Sequence, residues 1–352
     1  MSRVASPTEP VHELVQEALG EEEKSRRFVF EIDRYGWSLA QVCGRLVRWS
    51  QGRWHDSLRE GGVIMFVVLG ATGNTGSVVA DTLLSRKQPV RIVVRSADKG
   101  AAWKAKGAEI AVASLDEVSS LTNAFEGAKG VYLLVPPNYG ATAWLADQRA
   151  RMDRAAEAIQ RSATGHVVFL SSVGGHLAEG LGPIRAARYG EQALGAAAKN
   201  LTILRPCYFM DNWAPVLGAA KAQGVLPTFI APQAMVPMIS TRDIGRVGAE
   251  QLMAGGKGTQ IVELAGPEEY SPDQVAAALG QILGKPVTAQ HAPLSAVVPT
   301  FNSFGFSDEA AKLFEEMYAS FSKGTIGYEH PASVIRGRVT LAEALKGFVK
   351  AS

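Results

Sequence analysis

The chain has 352 residues, 47% of them hydrophobic and 20% charged, with a formal net charge of +2. That balance is ordinary for a globular protein, excludes a disordered or fibrous chain, and gives no reason to expect a nucleic acid or a membrane surface as partner. Cys43 and Cys207 lie too far apart in sequence to suggest a metal pair, and the six histidines form neither HxxxH nor HExxH, so no metal is expected.

Residues 1–62 read as an N-terminal extension. They lack the apolar centre of a leader, no uncharged apolar run of the chain reaches membrane-spanning length, and a reduced, cytoplasmic setting is expected. Val11, Leu14, Val15, Ala18 and Leu19 share one helical face. Leu39, Val42, Cys43, Leu46 and Val47 share another, opened by a Ser38/Gln41 capping box. Two such short helices need a surface to dock on, either the main domain or a partner subunit, so a homo-oligomer is compatible with them. Residues 37–42 also resemble the start of a helix-turn-helix, but no recognition helix follows. Because Met65 stands where the first strand begins, the extension is alternatively the product of a mis-chosen start.

The chain is organised around residues 63–76, VIMFVVLGATGNTG. An apolar run ends at Gly70, Gly73 and Gly76 follow at spacings of three, and a helical pattern of Val78, Val79 and Leu83 begins. This is a buried parallel strand, a tight turn, and a helix whose first amides face a phosphate. Gly70 permits the turn, Gly73 lets a pyrophosphate approach beside Thr72, and Gly76 lets helix and strand lie close. Asn74 or Thr75 is placed to cap the helix or to donate to the phosphate. The alternative is a purely structural turn.

From there strands are read at 63–69, 90–95, 108–112, 129–135, 166–171 and 200–205, with helices at 75–86, 97–106, 117–126, 142–162 and 185–198. This alternation predicts a doubly wound parallel sheet of the Rossmann type, with the ligand at the carboxyl ends of the strands. The second strand carries no acid for ribose hydroxyls. It ends in Arg95, with Lys99 a turn later, which favours the 2′-phosphate of NADP(H) over NAD(H). Asp116 is expected to cap the next helix. The fourth strand runs into Val135, Pro136 and Pro137, a stiff loop on the cofactor's path. Tyr139 beyond it either lines the substrate mouth or is a loop aromatic.

The GATGNTG segment is similar to the GATGxxG loop of extended and atypical short-chain dehydrogenases. In catalytic members of that group a serine at the position of Ser171 polarises a carbonyl, and a Tyr-x-x-x-Lys pair supplies the acid. None of the eight tyrosines here has a lysine four residues on, and Tyr189, in the corresponding helix, has no lysine partner. That argues against ordinary carbonyl or sugar-epimerase chemistry and leaves the catalytic residue unassigned.

The segment Leu204-Arg205-Pro206-Cys207-Tyr208-Phe209-Met210-Asp211-Asn212-Trp213, with later pieces at 238–245 and 263–271, resembles the NmrA-like family over roughly 63–350. The resemblance implies a nucleotide-binding domain in which 207–350 supply most of a smaller α+β substrate lobe. It implies one of two functions. The first is hydride transfer from NADPH to a small-molecule substrate such as a quinone, and the second is a catalytically silent NADP(H)-binding sensor acting through a protein partner. Tyr208, Phe209 and Trp213 are either core packing or a flat surface for a planar ring. Phe301, Phe304, Phe306, Phe314, Tyr318 and Phe321 form an aromatic C-terminal lobe that either lids the site or is its own core. A helix is expected at 272–283, a strand at 286–290, and a Thr340/Glu343 capping box on the last helix.

Overall fold

A computed structural model of the protein describes residues 65–351. The helices expected before residue 63 lie outside the described residues. Strand β1 (Met65–Leu69) leads into helix α1 (Asn74–Ser85), then β2 (Val90–Val94), a short 3-10 turn and α2 (Ala101–Ala105). There follow β3 (Glu109–Val112), α3 (Val118–Phe125), β4 (Ala128–Leu133), α4 (Trp144–Arg161), β5 (Val167–Leu170), α5 (Ile184–Ala197) and β6 (Leu201–Pro206). Alternate residues of β1 bury on opposite faces of the sheet. Phe66 and Val68 meet Val79 and Leu83 of α1, whereas Val67 and Leu69 meet the side that holds Met152, Ile159 and Leu194. Both faces being covered explains why the strand reads as an unbroken apolar run.

Beyond β6 come β7 (Tyr208–Phe209), α6 (Leu217–Gln223), β8 (Val225–Thr228), β9 (Val236–Ile239), α7 (Thr241–Ala254) and β10 (Thr259–Ala265). The chain continues through β11 (Glu269–Tyr270), α8 (Pro272–Leu283), β12 (Thr288–His291), α9 (Val297–Ser303), α10 (Asp308–Ser322), β13 (Ile335–Arg336) and α11 (Leu341–Ala351). The main sheet is eight-stranded and parallel throughout, in the order β3-β2-β1-β4-β5-β6-β10-β13. The direction of winding reverses between β1 and β4, so a crevice opens at their carboxyl ends.

Two strands of this sheet, β10 and β13, extend the six expected. Strand β10 was hidden by Gln260 and Glu263 within its run, and β13 is two residues long. The smaller lobe has a three-stranded sheet, β11-β9-β7, and the pair β12-β8. Its core gathers Met210, Trp213, Leu226, Met238, Leu279 and Leu345. Helix α8 opens with a full Ser271/Gln274 capping box and Pro272 in its first turn. Thr340 and Glu343 exchange the reciprocal bonds of a second box at the start of α11.

Candidate functional site

The turn between β1 and α1 sits at the reversal point. Gly70 has φ +69°, in the left-handed region, and a side chain there would press into Leu134 at 2.9 Å. The Gly73 amide donates to the Gly70 carbonyl at 2.9 Å, closing the turn. A Cβ on Gly76 would stand 2.4 Å from the Gly70 oxygen, so helix and turn touch backbone to backbone. Helix α1 has no side-chain cap and no acid in its first turn. Its first amides are therefore left without an internal partner, and Thr72, Gly73 and Asn74 beside them are exposed. Capping by Asn74 or Thr75 is not what the structure shows. The Thr75 side chain is buried next to the Tyr132 hydroxyl, whose pKa burial pushes up, so it does not reach the helix end, and only its backbone amide faces the turn. The result is an uncapped helix N-terminus behind a loop that carries little side-chain bulk, an arrangement whose free amides can receive an anion.

At the end of β2, Arg95 and Lys99 are exposed, and neither forms an ion pair among the described residues. Asp98 lies between them in sequence, its carboxyl held below the usual range chiefly by the Ser96 hydroxyl. At the end of β3, Asp116 does not cap α3. It accepts from the Ser114 hydroxyl at 3.2 Å and faces Arg151 of α4 at 3.5 Å, and the cap position itself is held by Glu117.

Val135 is half-buried and Pro136 exposed where β4 ends. Tyr139 stacks on Phe306 at 4.3 Å and on Trp144 at 5.7 Å, with Phe314 edge-on at 5.3 Å. Burial in this cluster pushes its hydroxyl up to about 12. Tyr208 meets Trp213 and Phe321 instead. Phe229, Phe301 and Tyr318 bridge the two groups: Phe301 stacks on Phe314 at 4.6 Å, Phe229 lies 5.3 Å from Tyr318, and the Tyr318 hydroxyl interacts with that of Tyr208. The aromatic rings of α9 and α10 thus pack over the loops that follow β4 and β6. Trp213 is only 2% exposed, with its indole N–H on the Met238 sulfur, and belongs to the core of the smaller lobe. Phe209 is half-buried against the core of the main sheet.

Ser171, at the end of β5, is buried, and its hydroxyl donates to Glu191 of α5 at 2.5 Å. Arg205 of β6 grips the same carboxylate with Nε at 2.8 Å and Nη2 at 2.6 Å. Its remaining arm reaches Glu329 at 2.5 Å. The neighbouring Glu263 accepts from the backbone amides of Glu329 and His330, which ties the C-terminal segment over the ends of β6 and β10. Sequence reasoning passed over this network. Its signal was a charged Arg205 inside the apolar run Leu201–Pro206. Arg188 uses one nitrogen on the carbonyls of Gly175, His176 and Leu177, and the Tyr189 hydroxyl donates to Asp153 of α4. Neither is an acid for the crevice. Among the described residues no cluster of His, Cys, Asp and Glu is placed to hold a metal, and no helix is long and apolar enough to cross a membrane.

The chain is 27% identical over 260 residues to the NAD(P)H azoreductase of Xenophilus azovorans, covering 72% of this chain and 86% of that one. It is 25% identical over 264 residues to quinone oxidoreductase 2 of Escherichia coli K12, covering 74% and 89%. The solved complex of the Escherichia coli NADPH-dependent quinone oxidoreductase with NADPH superposes with a TM-score of 0.68 at 22% identity, over 81% of this chain and all of that one. The sequence profile of the NmrA-like family matches residues 64–335, and the chain belongs to that family.

Proposed function

We propose that this protein is an NAD(P)H-dependent reductase that transfers hydride to a quinone or a similar small planar electrophile, with NADPH preferred over NADH. The observation that carries the reading is the Gly70–Gly76 turn. It is a side-chain-poor loop ahead of an uncapped helix, at the point where the sheet reverses. The amides of Asn74, Thr75 and Gly76 would hold the pyrophosphate, and Val135 and Pro136 would line the path toward Ser171. A reduced nicotinamide, when bound, supplies the hydride. The protein's own part is to hold it, to exclude water with the aromatic cover, and to position the acceptor. The two curated relatives, named for NAD(P)H azo reduction and for quinone oxidoreduction, support the class.

Arg95 would pair with the 2′-phosphate that distinguishes NADPH, with Lys99 nearby. Arg95→Ala is then expected to weaken NADPH binding about tenfold, a loss of about 1.4 kcal/mol, and to leave NADH binding unchanged. Titration of both nucleotides by quenching of protein fluorescence checks this. Equal weakening of the two would remove Arg95 from the phosphate site. Tight NADPH binding with no turnover on any acceptor would favour the silent sensor.

A further inference from the structure

A serine hydroxyl has one proton to donate and lone pairs to accept with. At Ser171 the proton is committed to Glu191 Oε1, 2.5 Å away. Glu191 cannot readily turn aside, because both of its oxygens accept from Arg205. Gly175 closes the space behind them: a Cβ there would stand 2.5 Å from Glu191 Oε1 and 3.0 Å from Arg205 Nε. Ser171 is 6% exposed, Glu191 9% and Arg205 4%, so water offers little competing hydrogen bonding. Ser171 also lies at the carboxyl end of β5, one strand beyond β4 and the reversal point.

We propose that Glu191, gripped by Arg205, sets Ser171 as an acceptor-only group. On the reading of the site given above, its free lone pairs take a hydrogen bond from the carboxamide N–H of the nicotinamide, and it polarises no substrate carbonyl. Glu191 is a positioning residue in this arrangement. The consequence falls on substrate class. With the Ser171 proton committed to Glu191 and no Tyr-x-x-x-Lys pair in the chain, the acceptor that fits takes hydride without an acid's help, so that its reduced form is a stabilised anion. A quinone meets that condition: it gains two electrons with a hydrogen nucleus as the donor's C–H bond breaks, and the donor is oxidised by two electrons. The hydroquinone monoanion then takes its second proton from water. An isolated ketone would have to leave as a far more basic alkoxide, and the site turns it away.

Ser171→Ala, with the melting temperature followed to confirm folding, separates the possibilities. The expected result is an NADPH Kd raised five- to tenfold by fluorescence titration. The kinetic loss falls on the KM for NADPH, kcat with a saturating quinone falls less than threefold, and the shape of its pH profile is kept. Ser171→Thr, which keeps the hydroxyl, is expected to recover most of the NADPH affinity. A hundredfold fall in kcat with an unchanged Kd would make Ser171 a proton donor and overturn the proposal. So would an unchanged Kd and KM, which would make it a packing residue, or brisk reduction of a simple ketone by the wild type. If the wild type binds no NADPH at all, the reading of the whole site fails, a result distinct from these.

Discussion

Gly76→Ala is expected to abolish nucleotide binding, with at least a hundredfold loss of NADPH affinity, and to lower stability by about 1–3 kcal/mol, the usual range for overpacking. The added Cβ would meet the Gly70 oxygen at 2.4 Å, the Gly70 carbonyl carbon at 2.5 Å and the Leu69 oxygen at 2.7 Å. All three are backbone atoms of the strand and turn, so no rotamer change relieves them. Helix α1 has little room to retreat, because α7 closes on its other side. A Cβ on Gly245 of α7 would already stand 2.7 Å from the Thr75 carbonyl and 2.5 Å from Val78 Cβ. Moving α1 outward displaces its first amides from the pyrophosphate, so the same substitution damages packing and binding together. Gly73→Ala is the control for folding. Its Cβ would lie 3.4 Å from the Gly70 oxygen and its φ is −109°, so its melting temperature should stay close to wild type. Fluorescence titration with NADPH and thermal melting of both variants check the contrast.

The second large effect is expected from Arg205→Met, which leaves the Glu191 carboxylate buried without its counter-charge. Removing one partner of a buried ion pair costs about 3–5 kcal/mol, because the remaining charge is uncompensated. The double variant Arg205→Met/Glu191→Leu should recover part of that loss, since no charge is left fully buried, while the part-exposed Glu329 and the Ser171 hydroxyl each lose a partner. Acid titration supplies an independent reading. Hydrogen bonding to Arg205 holds the Glu329 carboxyl below the ordinary glutamate range. A carboxyl depressed in the folded state adds stability above its unfolded pKa and loses it as pH falls through the folded value. Wild-type melting temperature should therefore fall as pH drops below about 4.3, the pKa of an unperturbed glutamate. Arg205→Met should show a shallower fall over that window.

Much of the nucleotide half was legible because its physics is local. A strand buried on both faces must be apolar throughout, a turn against a phosphate must lack side chains, and both requirements are met in fourteen consecutive residues, 63–76. The helices α1 and α3 to α5 end within two residues of the expected bounds for the same reason, namely sustained periodicity. Strands β10 and β13 were not legible, because their neighbours are distant in sequence and polar residues interrupt the pattern. Glu263 sits in β10 to serve the backbone of residues 329 and 330, a demand that only the folded chain reveals. The aromatic residues show the same limit. Tyr139, Tyr208 and Trp213 were visible as rings near strand ends. That Trp213 would turn into the lobe's core, and that Phe229, Phe301 and Tyr318 would join Tyr139 to Tyr208, depends on how α9 and α10 pack. The Ser171–Glu191–Arg205 network was hidden for a similar reason, since its members stand on two strands and a helix and each alone reads as an ordinary polar residue.

The most direct measurement is oxidation of NADPH by the purified 352-residue chain, followed by absorbance in the presence and absence of a soluble quinone. A quinone-dependent loss of NADPH that saturates in both reactants, with hydroquinone formed one for one, is the predicted result. Saturable NADPH binding with no oxidation by any quinone would contradict it.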